Sequence, residues 1–238
     1  MSPQEFYESP WHHPGLLASV GLVALTLALR DLLRAGPEGR AASPFFFRWL
    51  ALAAPAIVLD AWLTAPITPL SPRAAHVAAI AFVMLGDARF YLLAWRYGHH
   101  PRATDDATLP RALAIGLAWS LAASLAVGAA NALAPAFFAV TRRSFLLYEL
   151  LSLGLVLTLR LVLLPRNLDA RGASPAVRRW VLGVASFVAV QYTLWALADV
   201  LLFAGVRLGW ILRIVPNLLY YGAFVEFVRR TAPREIRP

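Results

Sequence analysis

Residues 178–204 read RRWVLGVASFVAVQYTLWALADVLLFA, and between Trp180 and Ala204 the one charged side chain is Asp199. About 20 mostly apolar residues are enough for a helix to cross the roughly 30 Å hydrocarbon core of a bilayer. This run meets that length with room to spare. Working outward, six more runs of the same kind lie near 15–34, 46–65, 75–97, 111–133, 144–164 and 208–228. Breakers separate them: Gly36-Pro37, the segment from Pro66 to Pro72, Pro101, Pro110, Thr141, Pro165 and Pro175. Gly205 alone parts the last two runs, which leaves open a six-span reading with one long re-entrant segment. The fold expected is all-α, a polytopic bundle of seven transmembrane helices.

Composition points the same way. Of 238 residues 60% are hydrophobic and 15% charged, whereas a soluble domain carries about 45–50% apolar and about 25% charged residues. With no cysteine, disulfides, thiolate catalysis and cysteine-held metals are excluded. All 22 basic residues are arginine, so no lysine can carry a covalent cofactor such as a retinal Schiff base. No cofactor is expected. The net charge of +9 suits loops lying on anionic lipid rather than a nucleic-acid partner. Met1 to Pro14 contain Glu5 and Glu8 and no arginine, unlike the charged start of a secretory signal, so span 1 reads as an uncleaved anchor.

Arginine also sets the expected orientation. The loops joining spans 1–2, 3–4 and 5–6, with the tail, collect 17 of the 22. Arg73, Arg142, Arg143, Arg207 and Arg213 are left for the opposite face. The positive-inside rule then places the N-terminus outside and the C-terminus in the cytoplasm, in the cell (inner) membrane. Trp49, Trp95 and Trp180 near one boundary, and Trp62 and Trp210 near the other, read as interfacial belts.

The chain also carries an internal match. Arg40-Ala-Ala-Ser43-Pro44-Phe-Phe-Phe-Arg48-Trp49 aligns with Arg171-Gly-Ala-Ser174-Pro175-Ala-Val-Arg-Arg179-Trp180, identical at six of ten positions at an offset of 131. Leu29-Arg30 pairs with Leu159-Arg160, and Phe90-Tyr91 with Tyr220-Tyr221. Both long copies follow the first helix of a three-helix set. The chain then divides into a first three-helix unit (1–100), a linking helix 4 (101–140) and a second unit (141–238). An odd linker is needed for the two units to insert the same way up, and parallel repeats of this kind are a transporter architecture. In this plan the chain resembles the SWEET and PQ-loop transporters, although neither first helix has a Pro-Gln pair. The resemblance implies a small secondary transporter. Microbial rhodopsins share the span count, but the missing lysine excludes their chromophore.

Ionisable groups at membrane depth are costly and are functional candidates by default. Asp60 lies about 22 Å along span 2 from its arginine-rich end, and the repeat pairs it with Gln191. Asp87, a little below the midplane of span 3, pairs with Asn217. Two acids in one half thus face two amides in the other. Glu149 enters span 5 near its outer end, with Tyr148 before it. Gln191, Trp195 and Asp199 recur every four residues and share one face of span 6. Asp60 is expected to share an outward-facing cavity with one or more of Glu149, Gln191, Trp195 and Asp199. Arg213 is placed to neutralise Glu149 or Asp199, Arg89 to reach headgroups, and Glu226 to meet a loop arginine. Pro55 and Pro216 mark kinks, and Ala122-Ala123-Ser124 and Gly128-Ala129-Ala130 mark close packing of helix 4. His76 near Asp60 and Glu149 is a weak metal candidate without ligand spacing.

Three readings of function stay open. The leading one is a secondary transporter or solute-binding bundle, proton-coupled through Asp60 or Asp87, with a small molecule or lipid as ligand. A membrane-embedded lipid enzyme using Asp60, Glu149 and His76, or a seven-helix sensor or scaffold, are the alternatives. The bilayer is the one partner the composition demands, and self-association stays open. Reporter fusions at the loops around Arg40, Arg102 and Arg171 and at the tail should all report cytoplasm; a C-terminus outside would overturn the orientation.

Overall fold

A computed structural model describes residues 1–101 and 109–237, apart from the side chains of His76, Leu109 and Ala112. The described residues form helices and no strands. Seven helices are long and apolar enough to cross a bilayer: Trp11–Arg34, Pro44–Leu63, Pro72–His99, Leu113–Leu133, Thr141–Ala170, Pro175–Phe203 and Leu208–Thr231. They are spans 1 to 7 below, and the chain is built as a multi-pass membrane protein. An odd number of crossings puts Met1 and the tail at opposite ends, called here the N-end and the C-end.

The helix boundaries follow from local chemistry. Ser71 and Ser174 cap spans 3 and 6, accepting from the amides of Ala74 at 3.4 Å and Val177 at 3.2 Å, and a proline fills the next position in each. Ser43 also precedes a proline, but its backbone is not in a capping conformation, and its buried hydroxyl has no partner among the described residues. The loop copies differ as well, since Ala41 lies within the helix Gly36–Ala42 whereas its counterpart Gly172 has φ +62°. The hairpin at Gly205 is a Schellman stop. Gly205, at φ +77°, donates to the Leu202 carbonyl at 3.1 Å and Val206 to that of Leu201 at 2.9 Å. Spans 6 and 7 are therefore two helices, and the re-entrant reading falls.

The helices form a ring in chain order. Span 1 packs on 2 and 7, span 4 on 3 and 5, and span 2 also reaches span 7. Span 3 crosses the middle to span 6 and meets the C-end of span 5. Half of the apolar window of span 2 is buried, against 17% of that of span 4, so span 4 lies at the edge. Its close approach is through Gly116, where an added Cβ would sit 3.0 Å from Leu92, while Gly128 has nothing nearby. The expected contact through Gly128-Ala129 thus turns outward instead.

Large apolar residues such as Leu33, Leu52 and Leu133 face outward, as lipid permits. The C-end holds an aromatic core. Trp49 and Trp180 belong to it, 5% exposed each, which corrects their reading as interfacial residues. Trp49 donates to the Arg89 carbonyl at 2.8 Å and Trp180 to that of Val228 at 3.3 Å, because a buried indole N–H needs an acceptor. Asp31 ties span 1 to span 7 through Arg229 at 2.6 Å and to the tail through Arg237 at 3.2 Å. Glu226 meets Arg229 and Arg230 of its own helix rather than a loop arginine.

Pro55 and Pro216 sit inside continuous helices. One turn beyond Pro216 the chain makes a π-helical turn, Leu219–Ala223, closed by the Phe224 amide on the Leu219 carbonyl. More residues per turn means less rotation per residue, which brings Tyr220 and Tyr221 onto the same inward side. At the N-end, Gly209 lets spans 6 and 7 touch, since an added Cβ would sit 2.7 Å from the Ala198 carbonyl oxygen. Gly209→Ala should cost roughly 1–3 kcal/mol of stability, read as a lower unfolding midpoint in detergent. An unchanged midpoint would show that the hairpin has slack.

Candidate functional site

The buried polar residues fall into three groups, set by the chemistry of their partners. The first closes the N-end. Asp199 is fully buried, and its Oδ1 accepts from Arg142 at 2.8 Å and from Arg213. The same Arg213 Nη1 lies 3.4 Å from Glu149 Oε1. One guanidinium from span 7 thus joins acids of spans 5 and 6, as its sequence position suggested. The second carboxylate oxygens, Glu149 Oε2 and Asp199 Oδ2, have no hydrogen-bond partner among the described residues.

The N-terminal segment covers this group. The short helix Pro3–Tyr7 packs on span 7, and Arg213 Nε donates to the Tyr7 hydroxyl at 3.1 Å. Asn217 Nδ2 reaches the same hydroxyl at 3.4 Å, and Trp195 Nε1 donates to Asn217 Oδ1 at 2.8 Å. His12 stacks on Tyr7 with ring centres 4.6 Å apart. Trp195, Asp199 and Asn217 are therefore brought together, but under a lid rather than in an open outward cavity.

The second group is central. Asp87 of span 3 accepts from the hydroxyls of Tyr148 on span 5 and Tyr192 on span 6, one on each oxygen. The two hydroxyls are 3.5 Å apart. Gln191 lines a small recess with Asp87, Val188 and Tyr220. Sequence reasoning noted Tyr148 only as a neighbour of Glu149 and passed over Tyr192. The usable signal was the cost of an unpartnered phenol at membrane depth.

The third group surrounds Asp60 of span 2. Thr64 donates to its Oδ1 at 3.1 Å, and His13 Nε2 lies 3.3 Å from the Thr64 hydroxyl. Tyr220 and Tyr221 face the carboxylate from span 7. Asp60 shares neither a hydrogen bond nor a described recess with Glu149, Gln191, Trp195 or Asp199. Arg89 and Tyr220 interact electrostatically with both Asp60 and Asp87. The alignment matched depths, and depth does not set the direction a side chain takes around its helix.

Arg89 corrects an expectation. Instead of reaching headgroups it is 7% exposed, lying over the Tyr220 ring at 3.9 Å and near that of Phe224 at 4.9 Å. Its Nη2 donates to the Tyr220 carbonyl at 3.1 Å, while Nη1 has no hydrogen-bond partner among the described residues. Stacking on aromatic faces compensates part of the lost hydration of a guanidinium. The side chain of His76, the metal candidate, lies outside the described residues. Among those residues no three histidine or acidic side chains gather as a metal site.

No family model matches the chain, and no curated protein or solved structure matches it either. The geometry stands alone. Arg213→Met should destabilise the bundle by roughly 3–5 kcal/mol, because it strips a cation from two buried acids. Adding Glu149→Gln should restore part of that loss in unfolding measurements. No recovery would mean that Arg213 acts through packing and not through charge.

Proposed function

We propose that the chain is a small secondary transporter, or a solute-binding bundle of that build, whose proton-handling carboxylates are Asp87 and Asp60. The observation that carries this reading is how the four deep acids divide. Glu149 and Asp199 are held by arginine, but Asp87 and Asp60 are held by hydroxyls and have no ion-pair partner among the described residues. An arginine bond favours one charge state. A hydroxyl donates to a carboxylate and accepts from a carboxylic acid, so Asp87 and Asp60 keep their partners whether or not they carry a proton. Asp87 is also where three spans meet, since its two tyrosines come from spans 5 and 6.

The helix contacts support a parallel 3+1+3 plan. Span 7 touches 1 and 2, and span 3 touches 5 and 6; exchanging the two three-helix sets leaves that pattern unchanged. Span 4, the least buried, takes the place of the linker. Trp49 and Trp180 each donate to the third helix of their own set, though at acceptors about two turns apart in register. The arginine count supports an outside N-terminus. In that orientation Tyr7 and His12 close the outer end, and withdrawal of the segment opens a route to Asn217 and Arg213.

A lipid-modifying enzyme has one observation in its favour, a crevice in the side of the bundle that ends at Asp60. Asp60 is the sole carboxylate among its described lining residues, and Glu149 lies in another group. That leaves no carboxylate pair among the described lining residues, and transport is the better reading. Infrared difference spectra between acid and alkaline buffers should show a carboxylic C=O band that Asp87→Asn and Asp60→Asn each reduce and the double variant removes. Glu149→Gln should leave it unchanged. Spectra identical in wild type and both aspartate variants would remove the proton-handling role.

A further inference from the structure

The side crevice has a shape and chemistry that the proton reading does not use. Its cavity measures about 300 Å³ and lies between spans 2, 3 and 4. Leu52, Ala56, Ile57, Leu85, Leu92 and Leu117 form much of its wall. Leu52, Leu85 and Leu117 are 74%, 52% and 46% exposed, so the mouth opens sideways, toward where lipid tails lie. A buried water needs two to four polar partners. Along this wall the Asp60 Oδ1 is taken by Thr64, and the Arg89 guanidinium is stacked on the Tyr220 ring with its unbonded Nη1 covered by protein. The middle of the crevice therefore suits hydrocarbon rather than water.

Its length and its charged end narrow the occupant. From Arg48 to Asp60 is twelve residues, about 18 Å along the helix. That is a little more than half of the roughly 30 Å hydrocarbon core, the reach of one leaflet's chain. Arg48 lies on the crevice wall near the C-end and is exposed, and Arg111, also exposed, lies two residues before the wall residue Leu113. Neither arginine has an ion-pair partner among the described residues. A cation at the interface with an apolar slot running inward from it complements an anionic head with an alkyl chain.

We infer that this crevice seats one acyl chain of an anionic membrane phospholipid, its phosphate on Arg48 and its chain running along span 2 toward Asp60. The site stands independently of whether the bundle moves protons. Trp49 lines the cavity and reports on it directly. In nanodiscs of mixed phosphatidylglycerol and phosphatidylcholine, bromine is placed on the chains of one lipid at a time. The emission that wild type has and Trp49→Phe lacks should be quenched about fivefold more effectively by brominated phosphatidylglycerol. Arg48→Gln, at an exposed position, should erase that preference. Ala56→Phe, which fills the slot, should remove the quenching itself. Native mass spectrometry checks the result without Trp49: wild type should retain one phosphatidylglycerol and Ala56→Phe none. Equal quenching by both lipids with no effect of Arg48→Gln would reduce the crevice to ordinary lipid solvation. Quenching or lipid retention that survives Ala56→Phe would place the chain elsewhere.

Discussion

A charge placed among apolar helices has no water to turn to, and it survives only if the protein supplies the missing partner. That constraint organises the interior. Arg213 lies between Glu149 and Asp199 and fixes spans 5, 6 and 7 at the N-end. Arg229 does the same at the C-end, joining Asp31 of span 1 to Glu226 of span 7. Between these two locks, Asp87 and Asp60 depend on hydroxyls, and Arg89 depends on aromatic faces. The bundle is held ionically at both ends and more softly in the middle.

This division has a mechanical meaning. Ionic clusters at the ends are costly to break, because separating one pair leaves a buried charge. Hydroxyl bonds exchange partners at lower cost, and Tyr148 and Tyr192 are close enough to bond each other when Asp87 does not hold them. The π-helical turn at Leu219–Ala223 carries Tyr220, whose ring lies under the Arg89 guanidinium and which also borders the recess of Asp87. Rearrangement in the middle of the bundle is therefore cheaper than at its ends.

The side crevice fits the same picture from outside. Span 4 touches few neighbours and is the least buried helix, and beside it spans 2 and 3 leave a slot that protein side chains do not fill. Small residues at Ala53 and Ala56 keep the slot open. A void of that kind lacks dispersion contacts unless something apolar enters it.

The solvent, the number of spans and most of their boundaries are legible in the order of the residues alone. These depend on one-dimensional quantities: the length of apolar runs, proline at helix starts and glycine where φ is positive. Six polar residues placed at membrane depth by hydropathy, Asp60, Asp87, Glu149, Gln191, Asp199 and Asn217, do lie inside, but Arg89 and His12 join them there without being marked by it. How these residues are grouped depends on packing in three dimensions. Asp60 and Gln191 match in depth, yet one faces Thr64 and the Tyr220 side while the other lines the recess of Asp87. Tyr148 and Tyr192 are ordinary aromatics in the sequence and become the partners of Asp87 only when spans 3, 5 and 6 converge. The position of Arg89 along span 3 allows it to reach the surface, but span 7 lays Tyr220 and Phe224 against it. Hydropathy records how deep a residue sits, but partners depend on rotation about each helix axis, and packing against the neighbouring helices sets that rotation.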